Sequence, residues 1–370
     1  MKKISELILV DQDYFKNLIA DIDTAKKTID METYIFSADE VGNAVANALV
    51  NAAKRGVKIR LLVDGVGTRN WKNAMSNKIE AAGIKTKVFH PLFWLRSHWK
   101  LQRPFFKKLI HLLTSINSRN HRKTCVIDSV IAYIGSANIS DGFYLHKKKT
   151  SWHDITVRLT GMCLHEIQYA FNKAWKSNPF KTKIRHLFTR IEIDPVFRLN
   201  FSGRQRRIIY KALLQRVKQS KNRIWIANAY FFPNPFFLFK LAQAAKRGVD
   251  VRIVLPGDTD VIGIELLTRS CFAILFEANI TVMKYSDGIL HSKILIIDDW
   301  FCVGSSNLNN RSFKRDLEVD LKIQTPEAKT FLENQFQNYC ENSQIINKKS
   351  LQTLTWLEKI ILWFARLIRL

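Results

Sequence analysis

Apolar residues in this chain come in short unbroken runs followed by helix-period segments, and the order of these blocks repeats. Residues 29–36 (IDMETYIF) and 224–231 (IWIANAYF) read as strands. Downstream, Ala52-Ala-Lys-Arg-Gly-Val-Lys-Ile-Arg-Leu-Leu-Val-Asp-Gly65 matches Ala244-Ala-Lys-Arg-Gly-Val-Asp-Val-Arg-Ile-Val-Leu-Pro-Gly257. Each reads as a helix end, a glycine cap and a buried strand, so each half contains a strand, helix and strand unit that calls for a parallel sheet. Two α/β halves are predicted, each with its own sheet.

The halves differ in length. From Gly65 to His121 is 56 residues and from Gly257 to His291 is 34, which leaves a 22-residue insertion in the first half. The expected organisation is a first half over 1–190 with an insertion at about 92–120, a second half over 191–345, and a tail over 346–370. In the tail Leu354, Leu357, Ile361, Phe364 and Ile368 recur at helical spacing, with Trp356, Trp363 and four charges elsewhere. That pattern suits a helix lying in a membrane interface rather than one spanning it. No segment reaches about 18 uninterrupted apolar residues, and residues 1–15 lack a secretory apolar region.

Composition narrows the partner. Apolar residues make up 47% and charged residues 24%, as in a folded enzyme. Lys and Arg number 58 against 32 Asp and Glu, a net charge of +26 that implies an anionic partner, nucleic acid or acidic lipid. The excess concentrates between Ala81 and Ile127, which holds no acidic residue and interleaves Phe93, Trp94, Trp99, Phe105 and Phe106 with its cations. Rings beside lysines suit a headgroup layer, and the same rings would stack on bases. Five cysteines form no C-x-x-C pair, so neither a disulfide framework nor a zinc site is indicated and a reducing compartment is expected.

The chemistry lies in a second repeat. His121-Arg-Lys123-Thr-Cys-Val-Ile-Asp128 and His291-Ser-Lys293-Ile-Leu-Ile-Ile-Asp298 share His-x-Lys-x4-Asp, and each leads to Gly-Ser-x-Asn, with Ser136 and Asn138 in one copy and Ser305 and Asn307 in the other. His and Lys two residues apart on an extended segment face one way, while Asp128 and Asp298 fall at the strand end near a turn. A phosphodiester needs a nucleophile, a proton donor for the leaving alkoxide and cations on its free oxygens. Two His and two Lys supply these with no metal or cofactor. Each His needs an acceptor on its other ring nitrogen, for which Asp154 and Glu318 are the candidates. Lys123, Lys293, Asn138 and Asn307 are expected to hold the phosphate, and Asp128 and Asp298 to shape the turns.

These motifs, with Met31-Glu-Thr-Tyr-Ile-Phe36, Asn228-Ala-Tyr-Phe-Phe-Pro233 and Gly304-Ser-Ser-Asn-Leu-Asn-Asn-Arg-Ser312, resemble the phospholipase D superfamily from about Ile8 to about Ile323. Within it the chain is most similar to bacterial cardiolipin synthases of the type without N-terminal transmembrane helices. The resemblance implies two pseudo-symmetric α/β/α halves around one shared active site, and phosphatidyl transfer through a phosphohistidine with phosphatidylglycerol as donor. It implies His121 as nucleophile and His291 as acid and base, though symmetry leaves the reverse open. A peripheral location on the cytoplasmic face of the cell membrane is expected. Phospholipid or nucleic-acid hydrolysis is the competing reading. A dead lipid-binding protein is disfavoured because both motifs are whole, and the apolar basic insertion and tail favour lipid over nucleic acid. Asn309 stands where many relatives carry Asp, and the second hairpin is one residue shorter than the first. The first copy has Gly-Ser-Ala-Asn where several relatives have Gly-Gly-x-Asn. These departures bear on substrate identity more than on activity.

Overall fold

The computed structural model describes residues 3–68, 75–91, 118–141, 152–176, 194–258 and 263–347. Apart from residues 118–120 and 346–347, the expected insertion and tail lie outside the described residues.

The first half runs β1 (Ser5–Val10), α1 (Gln12–Thr24), β2 (Thr28–Thr33), α2 (Glu40–Lys54), β3 (Lys58–Asp64), α3 (Met75–Ala81), β4 (Lys85–Phe89), β5 (Thr124–Ile127), β6 (Ile131–Gly135), β7 (Trp152–His153), β8 (Ile155–Thr160) and α4 (His165–Lys176). The second repeats this as β9 (Phe197–Leu199), α5 (Gly203–Gln219), β10 (Arg223–Asn228), α6 (Pro235–Lys246), β11 (Asp250–Pro256), α7 (Ile264–Arg269), α8 (Phe272–Glu277), β12 (Thr281–Tyr285), β13 (Ile289–Leu290), β14 (Lys293–Ile297), β15 (Trp300–Gly304), α9 (Asn310–Lys314), β16 (Val319–Ile323) and α10 (Pro326–Glu341). One further strand, β17 (Ser343–Ile346), pairs antiparallel with β12.

One sheet has the order β1-β8-β6-β5-β2-β3-β4. The other, read from β9, is β9-β16-β15-β14-β10-β11-β12, with β17 added at the edge. The duplication therefore extends to strand order. The sheets are mixed rather than parallel: β2-β3-β4 and β10-β11-β12 run parallel, and the remaining pairings are antiparallel. The βαβ repeats dictate the parallel part, and the hairpins at Asp128 and Asp298 turn the chain back on itself to make the rest.

Packing follows from the strand alternation. Ile29, Met31, Leu61 and Val63 face α1 and α2, where Leu18, Ile22, Val45 and Leu49 are fully buried. Leu62, on the opposite face of β3, meets Phe171 and Ala174 of α4. The antiparallel portions of the sheets pack on each other, Ala132, Ile134, Val157 and Leu159 against Ile294, Ile296, Val303 and Leu321. Burying each such aliphatic side chain contributes about 1.5–3 kcal/mol, so this seam holds the halves firmly together.

Asp128 and Asp298 lie in these hairpins, at the end of β5 and β14 away from the histidines. Asp128 accepts the amides of Lys26, Lys27 and Thr28 at 2.7–2.8 Å, and Asp298 those of Lys221, Asn222 and Arg223 at 2.8–3.1 Å. Both sit at positive φ, near 50°, which Asp tolerates better than most residues. The hairpin that is one residue longer spends the extra residue at Ser129–Val130, on the surface and away from the site.

Candidate active site

Each His-x-Lys segment is hooked onto the opposite half by backbone. The His121 amide donates to the Leu317 carbonyl at 2.9 Å, and the Leu317 amide returns to Arg119 at 2.8 Å. In the other copy β13 pairs with β7, and the His291 amide donates to the His153 carbonyl at 2.9 Å. In both, the residue after the hook is a carboxylate that leads into a strand, Glu318 before β16 and Asp154 before β8. The carboxylates therefore cross over: Glu318 of the second half meets His121 Nδ1 at 3.0 Å, and Asp154 of the first half meets His291 Nδ1 at 2.7 Å.

The Gly-Ser-x-Asn loops hold these carboxylates. Ser305 Oγ donates to Glu318 Oε2 at 2.5 Å, and Ser136 Oγ hydrogen-bonds Asp154. The preceding glycines make room: a Cβ at Gly135 would stand 2.3 Å from the Ile155 carbonyl, and one at Gly304 2.4 Å from that of Val319. Glu318 is further satisfied by Ser312 Oγ at 2.6 Å, while its amide donates to Asn200 Oδ1 at 2.6 Å. With Nδ1–H directed at a carboxylate, each ring presents Nε2 with its lone pair to the space between the halves.

Lys123 and Lys293 are buried, and each ammonium folds back onto the carbonyl of its own motif histidine. Burial, and then the charge of Lys293, push Lys123 down to about 7. Burial also lowers both histidines, against the pull of their carboxylates, His291 to about 3. Burial would raise Asp154 and Glu318, but the facing histidines and lysines outweigh it and hold both below the ordinary carboxylate range. The site thus pairs neutral imidazoles with ionised carboxylates and holds two crowded cations. An anion placed between those cations would relieve their repulsion.

Of the residues expected to hold phosphate, Asn138 directs Oδ1 to the Ile35 amide at 3.2 Å. Among the described residues Asn307 Oδ1 is buried without a hydrogen-bond partner. Asp128 and Asp298 are not brought to the site. The site does gather residues that sequence reasoning passed over. Tyr34 lies 5.1 Å from the His121 ring, and Trp152 and Tyr230 lie 4.8 and 6.2 Å from that of His291. Ser312 and Asn200 complete the seat of Glu318. The one available signal was an aromatic residue just after β2 and β10 in both copies. Asn309 accepts the Ser312 amide at 2.9 Å as the cap of α9, a position where Asn and Asp serve alike, so its departure from relatives is a local one.

A family model described as "Cardiolipin synthase, PLD-like domain" matches residues 18–148 and 213–340. Cardiolipin synthase 1 of Bacillus anthracis is 30% identical over 371 residues, covering 96% of this chain and 70% of the relative. Cardiolipin synthase of Clostridium perfringens (strain SM101 / Type A) is 32% identical over 340 residues, covering 87% of this chain and 67% of the relative. Among solved structures, phosphatidylserine synthase of Haemophilus influenzae Rd KW20 superposes with a TM-score of 0.65 at 16% identity, over 99% of this chain and 94% of that one. Polyphosphate kinase of Porphyromonas gingivalis gives 0.62 at 12%, over 99% of this chain and 53% of that one, and at such identities the likeness concerns fold alone. By the family match and the sequence identities, the chain belongs to the phospholipase D-like family of cardiolipin synthases.

Proposed function

We propose that this chain is a phosphatidyltransferase that moves a phosphatidyl group from phosphatidylglycerol to the hydroxyl of a second phospholipid, giving cardiolipin and a released alcohol. The observation that carries the reading is the crossed pair of His–carboxylate dyads facing two buried lysines across the seam between halves.

In this reading His121 Nε2 attacks phosphorus, and the bond from phosphorus to the leaving glycerol oxygen breaks. The side chain of His121 is the more open of the two rings, 12% exposed against 4% for His291, which suits the nucleophile. Burial and then the lysine charge depress His291; the bound phosphodiester offsets the lysine charge and stabilises a proton on its Nε2, which is delivered to the departing alkoxide. His291, neutral again, takes the proton of the incoming hydroxyl as that oxygen attacks phosphorus and frees His121. Lys123, Lys293, Asn138 and Asn307 hold the phosphoryl oxygens throughout.

The enzyme works at a membrane surface, on the cytoplasmic face. No helix among the described residues is long and apolar enough to cross a membrane. The support from the described residues is on α6, which starts at the active-site end of its sheet, where Asn228 pairs with Lys293. Phe236 and Phe239 are 54% and 53% exposed, and the Lys240 ammonium stands 5.3 and 5.7 Å from their rings. In α2 of the first half the equivalent exposed positions are Ala44 and Asn47. Packing does not call for aromatics there, and an acidic lipid interface does.

The deciding experiment incubates the purified protein with phosphatidylglycerol vesicles and follows products by mass spectrometry. Cardiolipin should accumulate, and His121→Ala and His291→Ala should each lose about 10³-fold or more in rate. Phosphatidic acid without cardiolipin would make the chain a hydrolase instead.

A further inference from the structure

His153 belongs to neither motif, yet it sits one residue before Asp154. Its Nδ1 is 3.0 Å from Asp11 Oδ2, and its Nε2 is 2.7 Å from the Asp287 carbonyl oxygen. A carbonyl and a carboxylate oxygen accept, so the two contacts together fit the doubly protonated ring, an imidazolium. The groups around it are Asp11 from the β1–α1 junction, Asp287 from the turn before β13, Tyr285 of β12 at 5.2 Å, and Tyr339 of α10 behind Tyr285.

The backbone at this point grips the catalytic segment. The His153 carbonyl accepts the amides of His291 and Ser292 at 2.9 and 2.8 Å. Asp11 Oδ1 accepts the Asp154 amide at 2.9 Å, and the Asp11 amide returns to the Asp154 carbonyl at 3.3 Å. To reach both, Asp11 adopts φ 49° and ψ −117°, an unfavourable conformation for a residue with a Cβ. One ion pair thereby joins the β1–α1 junction, the lead-in that carries Asp154 and the turn that carries His291. At the equivalent place beside His121, Asn200, which follows β9 as Asp11 follows β1, accepts the Glu318 amide at 2.6 Å, and Leu317 stands where His153 does. That grip is neutral, and the one beside His291 holds a titratable ion pair.

We propose that the Asp11–His153 ion pair is a positioning clamp for the His291–Asp154 dyad, so that deprotonating His153 loosens His291 and leaves His121 in place. Burial lowers the His153 ring, but the bond to Asp11 and its charge outweigh this and raise it above the usual 6.5. The contribution of the clamp to stability is therefore complete below pH 6.5 and is lost as pH rises through the raised value.

The turnover part of this rests on the phosphatidyltransferase reading, whereas the clamp itself does not. The test compares wild type with His153→Gln and His153→Arg in kcat, KM, thermal unfolding and the ¹⁵N resonances of the His291 ring across pH. Taking the ratio to wild type cancels other titrating groups, Lys123 included. Wild type should exceed His153→Gln in kcat about 10-fold near pH 6 and match it near pH 9, at unchanged KM, with the difference in Tm following the same course. His153→Arg should hold its low-pH kcat to near pH 9. Asp11→Asn should reproduce the His153→Gln loss and add nothing to it in the double variant. A ratio or Tm difference independent of pH, or additive effects of the two substitutions, would overturn the clamp. If wild type turns over no phosphatidylglycerol, the transferase reading fails, and the Tm and ¹⁵N data still decide this one.

Discussion

At the residue scale the site depends on which nitrogen of each imidazole is free, and the crossed carboxylates decide that. Glu318→Gln and Asp154→Asn keep shape and remove the acceptor charge. Each should lower kcat about 10²- to 10⁴-fold with little change in KM, read from steady-state kinetics on mixed micelles. A drop confined to KM would mean that these residues bind substrate instead. Lys123 sets the alkaline limit: with its ammonium pushed down to about 7, kcat/KM of the free enzyme should fall as pH rises through that value. Stability should move the other way. An unfolded lysine titrates near 10.5, so between these values the unfolded chain binds the extra proton and the native state gains as pH rises. The two curves, recorded together, test one buried ammonium. The His and Lys pairs were plain in the sequence because they recur at equal spacing. Ser312, Asn200 and Trp152 were not, since they reach the site through the fold and repeat no pattern.

At the element scale the hairpins at Asp128 and Asp298 join chemistry to frame. Burial would raise both carboxyls, but three backbone amides on each outweigh it and lower them. Asp128→Ala or Asp298→Ala hands those largely exposed amides to water and should cost about 1 kcal/mol in urea unfolding, while the folded fraction keeps its specific activity. A loss of kcat at full stability would place these residues in the reaction after all. Strand and helix order was legible because the AAKRG blocks and the runs before them are local signals. The mixed sheet was less so, because antiparallel pairing of β5 with β2 joins segments about a hundred residues apart, and no local pattern records it. The short strands β7 and β13 were also silent, being formed only by contact between halves.

At the scale of the whole molecule, the exposed Phe236 and Phe239 of α6 carry the proposed lipid contact. Replacing Phe236 and Phe239 with Ser should weaken cosedimentation with acidic vesicles about 10-fold, at unchanged activity on a short-chain soluble phosphodiester. Unchanged cosedimentation would move the membrane contact elsewhere. The halves are also tied at their far edge, where Glu6 of β1 accepts the amides of Gln324 and Thr325 at 2.8–2.9 Å. The crossed dyads add a constraint of another kind. Duplication ordinarily leaves a spare that is free to drift, but here each copy carries the carboxylate that holds the other copy's histidine. Under the proposed mechanism damage to either half disables both, so selection would act on the two as on a single gene, and neither could become a relic while the other stayed active.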